Sequence, residues 1–283
     1  MPPTTSRLNT MRQARLAIAL ALATGVACSR SASSLDIATT TSVVNSGLLE
    51  AILPQFSDYR VRVHAAGSGR SLVMLADGTA ELVISHAPAA EQQALAGHPD
   101  WRYQKLAFNR FVIVGPVSDP AAVATSPGAV EAFKRIAATG QDFVSRGDSS
   151  GTHERETMFW KLAGISPSND HLLTSGASMA VTLRQSASKQ AYTLSDQATW
   201  WQLESELPEL RQLLGDDPAL LNTYALLYSR ENLKAAALAR WLTEGPGRAL
   251  IGAYQIGGRK AYEVWPAGCP GSLPDATVCA GSR

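Results

Sequence analysis

The stretch LDIATTTSVVNSGLLEAILPQF (35–56) changes its periodicity within a few residues. Its branched start, LDIATT (35–40), reads as a strand that ends in hydroxyls. TTTSVVNSG (39–47) reads as a loop. GLLEAILPQF (47–56) carries a Leu/Ile/Phe stripe and reads as a helix, capped by Asn45 or Ser46 and limited near its end by Pro54. The alternation then repeats. VRVHAAG (61–67) is a second strand, Gly67-Ser68-Gly69 a tight turn, RSLVMLADG (70–78) a short helix and AELVISHA (80–87) a third strand. Strand and helix in this order specify an α/β fold with a parallel sheet. Ligands of such sheets gather at the carboxyl ends of the strands. The loops at those ends, TTTSVVNSG (39–47), AGSGR (66–70) and SHAPAAE (85–91), are rich in hydroxyls and Gly rather than acids. A catalytic acid–base pair or a metal cage needs clustered carboxylates or His instead.

Farther along, LAFNRFVIVGP (106–116) reads as a long apolar strand, and the loose VSDPAAVATSPG (117–128) as a crossing between lobes. A second α/β stretch follows, with helix 129–138, strand 142–145, helix 151–163, helix 178–188, strand 190–195 and helix 196–204. LLNTYALLYSR (220–230) is a long buried strand and a second crossing, and helices 231–243 and 246–256 come after it. Two α/β lobes joined by two extended crossings describe a clamshell. The expected division is an export segment at 1–28, first lobe at 29–115, second lobe at 116–221, a return to the first lobe at 222–265 and a Cys-containing tail at 266–283.

The 283 residues are 45% hydrophobic and 17% charged, which suits one large or two medium globular domains. Lys and Arg total 25 against 24 Asp and Glu, so no basic excess points to nucleic acid. Arg7, Arg12 and Arg15 precede the apolar LAIALALATGVAC (16–28), too short to span a bilayer comfortably but suited to a secretory signal. Val26 and Ala27 before Cys28 fit a lipoprotein signal, whereas Gly25 stands where Leu is usual; lipidation of Cys28 and plain cleavage both stay open. Export implies an oxidising compartment. Cys269 and Cys279 in the Pro/Gly-rich tail are then the natural disulfide pair. Closing so short a loop contributes ~2–3 kcal/mol at most.

In FVSRGDSSGTHERETMFWKLAG (143–164) a strand ends at Ser145, a turn covers 147–151, and a helix starts with Thr152, Glu154 and Glu156 near its beginning. Free N–H groups and the helix dipole favour a negative ligand there. Ser149, Ser150 and Thr152 add hydroxyls, and Arg146 adds a planar fork of donors suited to oxyanions. The plain alternative is a capped helix start, with Ser150 as N-cap and Arg146 paired to Asp148 on the surface. The similar TTTS and GSGR loops at other strand ends favour the oxyanion site.

ATTTSVVNSGLLEAILPQF, VHAAGSGRSL, AELVISHAPAAE, FNRFVIVGP, the 143–164 stretch, AYTLSD and RWLTEGPGRALIGAYQI follow one another in this chain. Together, over roughly 35–256, they resemble the periplasmic tungstate-binding proteins of ABC transporters, the TupA type. The resemblance implies a type II clamshell, each lobe a mixed or parallel sheet flanked by helices, with a two-strand hinge. It further implies a periplasmic monomer that closes around one tungstate, uses no cofactor, catalyses nothing and delivers the anion to an inner-membrane permease. Carried over residue by residue, Thr40, Thr41 and Ser42 are the hydroxyl loop of the first lobe, and Ser68 stands where the family usually has Thr. Arg146 is the charge on the anion, Ser150 and Thr152 are donors, and Asp148 holds Arg146. His86 is expected as a structural hydrogen-bonding partner more than a ligand, and His153 as solvated or behind the donors. Ser178-Met179-Ala180 replaces a Gly-richer segment and reshapes one wall; the Cys tail lies outside the resemblance.

Rival readings remain at this level. Phosphate-binding proteins share the R-x-D-x-SGT pattern; phosphate keeps a proton and benefits from an acceptor, for which Asp148 is available. Molybdate nearly equals tungstate in size and charge. GASMA (176–180) approximates a hydrolase nucleophile elbow around Ser178, but His171 precedes it and no His follows, so the Ser-acid-His order is missing. A metal-binding receptor lacks its His/Asp/Glu cluster.

Overall fold

The computed structural model describes residues 33–166, 170–269 and 271. The expected export segment, Cys28 and Cys279 lie outside the described residues; Cys269 is disulfide-bonded.

The chain opens with β1 (Ser34–Thr40), α1 (Thr41–Asn45), α2 (Leu48–Ile52), β2 (Arg60–Ala66), α3 (Ser68–Ala76), β3 (Leu82–Ser85) and α4 (Pro88–Gly97). The 39–47 stretch is therefore no loop. Thr40 is the N-cap, its Oγ1 accepting the Val43 N–H at 3.3 Å, so helix begins directly after the strand. Of the two expected caps of the next helix, Asn45 instead ends α1, whereas Ser46 Oγ accepts the Leu48 N–H at 3.3 Å; the residue between them and α2 is Gly47, at φ 76°. Next come β4 (Trp101–Pro116), α5 (Ala129–Ala138), β5 (Phe143–Ser145), α6 (Gly151–Ala163), β6 (Leu172–Thr174), α7 (Met179–Lys189), β7 (Thr193–Asp196) and α8 (Gln197–Leu203). β8 (Leu210–Leu214), β9 (Leu221–Ser229), α9 (Leu233–Thr243) and α10 (Pro246–Ala253) complete the principal elements.

β1 lies parallel between β2 and β3, and β9 and β4 continue that sheet in antiparallel sense. Glu263–Val264 pairs with the far side of β4. The fold is thus mixed α/β. β4 spans 16 residues and changes partners inside itself. Trp101 to Arg110 pairs with β9, whereas Phe111 to Val114 pairs with β7 and Ile113 to Pro116 with β8. The exchange lies ahead of the loose 117–128 segment. β5 runs parallel to β6, and Phe143 bridges to Tyr192 at the start of β7.

Strand alternation assigns each side chain to one of four cores. Ile37 and Ile84 face Leu48 and Ile52 of α2 and Leu238 of α9. Ala38 and Val83 face Leu72 and Leu75 of α3 on the other side. Past the exchange of partners in β4, Phe111 and Ile113 face Phe133 of α5 and Phe159 and Trp160 of α6. Val112 and Val114 face Met179 and Leu183 of α7 and Trp200 of α8. Each fully buried side chain of this size contributes roughly 1.5–3 kcal/mol.

Candidate functional site

Parallel pairing brings the ends of β1, β2 and β3 to one edge: Thr40 pairs with Ala66, and Thr39 with Ile84. The starts of α1 and α3 therefore stand side by side. Thr40 is buried; its oxygen accepts from Val43, which leaves its O–H to donate. Thr41 is half-buried and Ser42 buried in the first turn of α1. Ser68 opens α3, fully buried, and its Oγ has no hydrogen-bond partner; the same holds for Ser71. The α3 cap, Gly67, has no side chain to occupy the first amides of that helix.

The facing half follows β5. Arg146 is 1% exposed and uses its guanidinium in three directions. Nε donates to the Ala177 carbonyl at 2.9 Å, Nη2 pairs with the Asp148 carboxylate, and Nη1 is buried without a partner. The other Asp148 oxygen accepts the Ser150 N–H at 3.2 Å. The Arg146–Asp148 pair expected of the plain capped-helix alternative exists, but Arg146 is buried rather than on the surface. Below it, the Arg146 N–H donates to Glu156 at 3.2 Å, and burial pushes the Glu156 carboxyl up to about 7. Gly147 sits at φ 58°, where a Cβ would lie 2.2 Å from Thr174 Cγ2, so this turn requires Gly. Ser150 caps α6 by accepting the His153 N–H at 3.3 Å, leaving its own O–H to donate. Thr152 is fully buried, with Oγ1 unpartnered. His153 Nδ1 accepts the Ser149 N–H at 3.0 Å, so His153 supports the turn from behind.

The two faces touch. A Cβ on Gly67 would lie 3.6 Å from the Asp148 carbonyl oxygen, and one on Gly69 3.7 Å from that of Ser149. A Cβ on Gly151 would lie 2.4 Å from the His86 carbonyl oxygen; only Gly permits this approach. His86 is buried with its ring stacked against Phe111 and Tyr224. Asn222 donates its amide to Asn109 and to Tyr224, so its oxygen accepts from His86 Nδ1 at 2.9 Å. Burial lowers the His86 pKa, which keeps the ring neutral and leaves Nε2 as an acceptor. His86 is the hydrogen-bonding partner expected at a strand end, and it is also the floor beneath Gly151.

A family model described as a PBP superfamily domain matches residues 29–245. Over 255 residues the chain is 32% identical to the tungstate-binding protein TupA of Peptoclostridium acidaminophilum, covering 86% of each. The chain belongs to the TupA family of the PBP superfamily. Its fold matches the tungstate ABC transporter structure from Geobacter sulfurreducens with a TM-score of 0.70 and 32% identity, over 78% of this chain and 98% of that one. TupA from Desulfovibrio alaskensis G20 matches with a TM-score of 0.70 and 31% identity, over 82% of this chain and 99% of that one.

Within this TupA-family chain, the starts of α1, α3 and α6 carry six of the expected oxyanion donors, Thr40, Thr41, Ser42, Ser68, Ser150 and Thr152, and the turn between β5 and α6 carries the seventh, Arg146. The contacts join the α3 start to the 148–150 turn, and the β1–β2 register places Thr40 beside them. His171 precedes β6 and its Nδ1 hydrogen-bonds Asp142 at 3.0 Å, whereas Ser178 follows β6. Ser178 starts α7 next to Ala177, whose carbonyl holds Arg146. Among the described residues there is no group of three His, Cys, Asp or Glu that could hold a metal ion, and no helix long and apolar enough to cross a membrane. Sequence reasoning missed the Ala177 carbonyl and the supporting role of Glu156. An acid in the second turn of a helix that starts at a ligand loop is the signal that points to Glu156.

Proposed function

We propose that this chain is the solute-binding component of an ABC transporter, capturing tungstate in the periplasm for an inner-membrane permease. One observation carries the reading: Ser68 Oγ, Arg146 Nη1 and Thr152 Oγ1 are buried, polar and unpartnered on faces that meet. Buried donors without acceptors are costly, and a bound anion supplies the acceptors. Tungstate is a dianion with acceptor oxygens only. The hydroxyls of Thr40, Thr41, Ser42 and Ser150 and the first amides of α3 and α6 extend the same donor set. No bond is made or broken and no cofactor takes part. Because each lobe brings part of the donor set, the anion favours the closed arrangement by differential contact. In this reading the lobes divide where β4 changes partners, export uses the 1–28 segment, Cys28 is the residue for any lipid anchor, and the protein acts as a monomer.

Molybdate fits the same donors. Phosphate needs an acceptor for its proton; each Asp148 oxygen already accepts one hydrogen bond but keeps a second lone pair, and His86 Nε2 is a buried, unpartnered acceptor, so the structure leaves that rival to experiment. Titration calorimetry of the chain from residue 29, with tungstate, molybdate, phosphate and sulfate, decides among them. Nanomolar or tighter tungstate binding with weak phosphate is expected. Preference for phosphate sinks the tungstate reading.

A further inference from the structure

Glu154 lies in the first turns of α6, and its backbone N–H donates to the Ser150 carbonyl at 2.9 Å. The turn that presents Ser150 and Thr152 therefore also presents Glu154. Its side chain points to the other lobe. Oε1 accepts the Ala89 N–H at 3.0 Å, and Oε2 accepts the Ala90 N–H at 3.3 Å. Those amides belong to the first turn of α4, whose cap residue Ala87 offers no side-chain acceptor. The helix thus lacks a local cap for them, and its dipole favours a carboxylate at this end. α4 packs on the first lobe through Ala90, Ala94 and Leu95, whereas α6 packs on the second through Phe159 and Trp160. A helix of one lobe is capped by a carboxylate of the other.

Glu91 does not duplicate this function. It is buried, accepts the Ala87 N–H at 2.9 Å and the Tyr103 hydroxyl at 3.0 Å, and leaves the Ala89 and Ala90 amides to Glu154. We propose that Glu154 is a positioning residue that latches the closed lobes, prolonging the stay of the anion without touching it. The latch rests on the reading of the cleft as an anion trap. Separating the lobes by a few ångströms breaks both hydrogen bonds, because such bonds weaken steeply beyond normal contact. In the open form Ala89 and Ala90 donate to water, so Glu154 adds nothing there.

The test uses the chain from residue 29 with Glu154→Ala and Glu154→Gln, against tungstate, molybdate, phosphate and sulfate. For the anion held tightest, Glu154→Ala is expected to weaken binding about three- to thirtyfold, the range of a lost helix cap. The change falls on the dissociation rate in stopped-flow, with the association rate unchanged. Glu154→Gln, which retains one acceptor oxygen, lies between. Anion-free melting temperature is unchanged in both variants. Hydrogen exchange at Ala89 and Ala90 slows on anion binding in the wild type and not in Glu154→Ala. An unchanged dissociation rate, or an equal loss of melting temperature without anion, overturns the latch. The wild-type ranking of the four anions tests the functional reading separately, and a wild type that holds none of them overturns both.

Discussion

The face built on β1, β2 and β3 carries hydroxyls at helix starts, those of Thr40, Ser42 and Ser68; the face after β5 carries hydroxyls too, those of Ser150 and Thr152, and adds Arg146. Beneath each loop lies a buried carboxyl that accepts a loop N–H, Glu91 from Ala87 and Glu156 from Arg146. Burial pushes both up to about 7. The frames are alike and the loads differ. A neutral hydroxyl can be buried beside a helix end with little support. A guanidinium needs partners in several directions, so the Ala177 carbonyl and the Asp148 carboxylate hold that of Arg146, while Glu156 accepts its backbone N–H. In the proposed reading, one face shapes the anion's seat with neutral donors, and the other adds the positive charge.

That division of labour is open to attack from either side. Arg146→Ala is expected to have the largest effect, weakening tungstate binding about a hundredfold or more by calorimetry, because a buried charged donor is lost. Arg146→Lys should recover little of it, since a single ammonium nitrogen cannot take the separate positions of Nε, Nη1 and Nη2 on the planar guanidinium. Gly151→Ala comes next, with a loss of roughly ten- to a hundredfold. Its new Cβ meets the His86 backbone only when the faces close. Melting temperature without anion should hold or rise, as Ala suits a helical position better than Gly. A Gly151→Ala protein with wild-type affinity would show that the faces need not meet so closely. Ser68→Ala and Thr152→Val should each cost about five- to tenfold in affinity, one neutral hydrogen bond apiece. A loss at Ser68 or Thr152 as large as that of Arg146→Ala would contradict the assignment of the decisive charge to one face.

The smallest expected effect on binding is that of pH. A dianion near Glu156 disfavours its ionised form further, so binding takes up protons and affinity falls a few-fold from pH 6 to pH 8. Arg146 and Asp148 are the charged groups that act on this carboxyl. Stability follows the same sign. A carboxyl raised from its ordinary 4.5 to about 7 binds more protons in the folded chain than in the unfolded one across that window. Stability is therefore full below the ordinary value, declines as pH rises toward 7, and is level above. Glu156→Gln should flatten both profiles, leaving the part of the stability profile that belongs to Glu91; melting curves and calorimetry at several pH values check this.

Much of the fold was legible because its signals are periodic. Helix 151–163 and helix 129–138 were expected at the bounds now seen, where an apolar stripe and a cap agree. β6 was missed because LLT (172–174) is too short to show alternation, and β8 because only its Leu210 and Leu213 are buried, a spacing that is not that of a half-buried strand. The TTTS stretch was misread for a different reason. Threonines read as a loop, but one of them caps, and the cap converts the others to helix. At the site, residue types that make oxyanion donors were recognisable from spacing. What spacing withheld was direction. Glu154 and Glu156 stand two apart and so face different sides of α6. One crosses to Ala89 and Ala90; the other turns in beneath Arg146. Only tertiary packing decides which acid is latch and which is prop.

β4 has a consequence for how the molecule comes apart. Its residues are backbone partners to β9 in one sheet and to β7 and β8 in the other. Fraying that strand from either sheet strips hydrogen bonds and apolar cover at the edge of its neighbour. A bilobed protein built this way melts as one body: intrinsic tryptophan fluorescence and circular dichroism should trace a single coincident transition, despite separate cores.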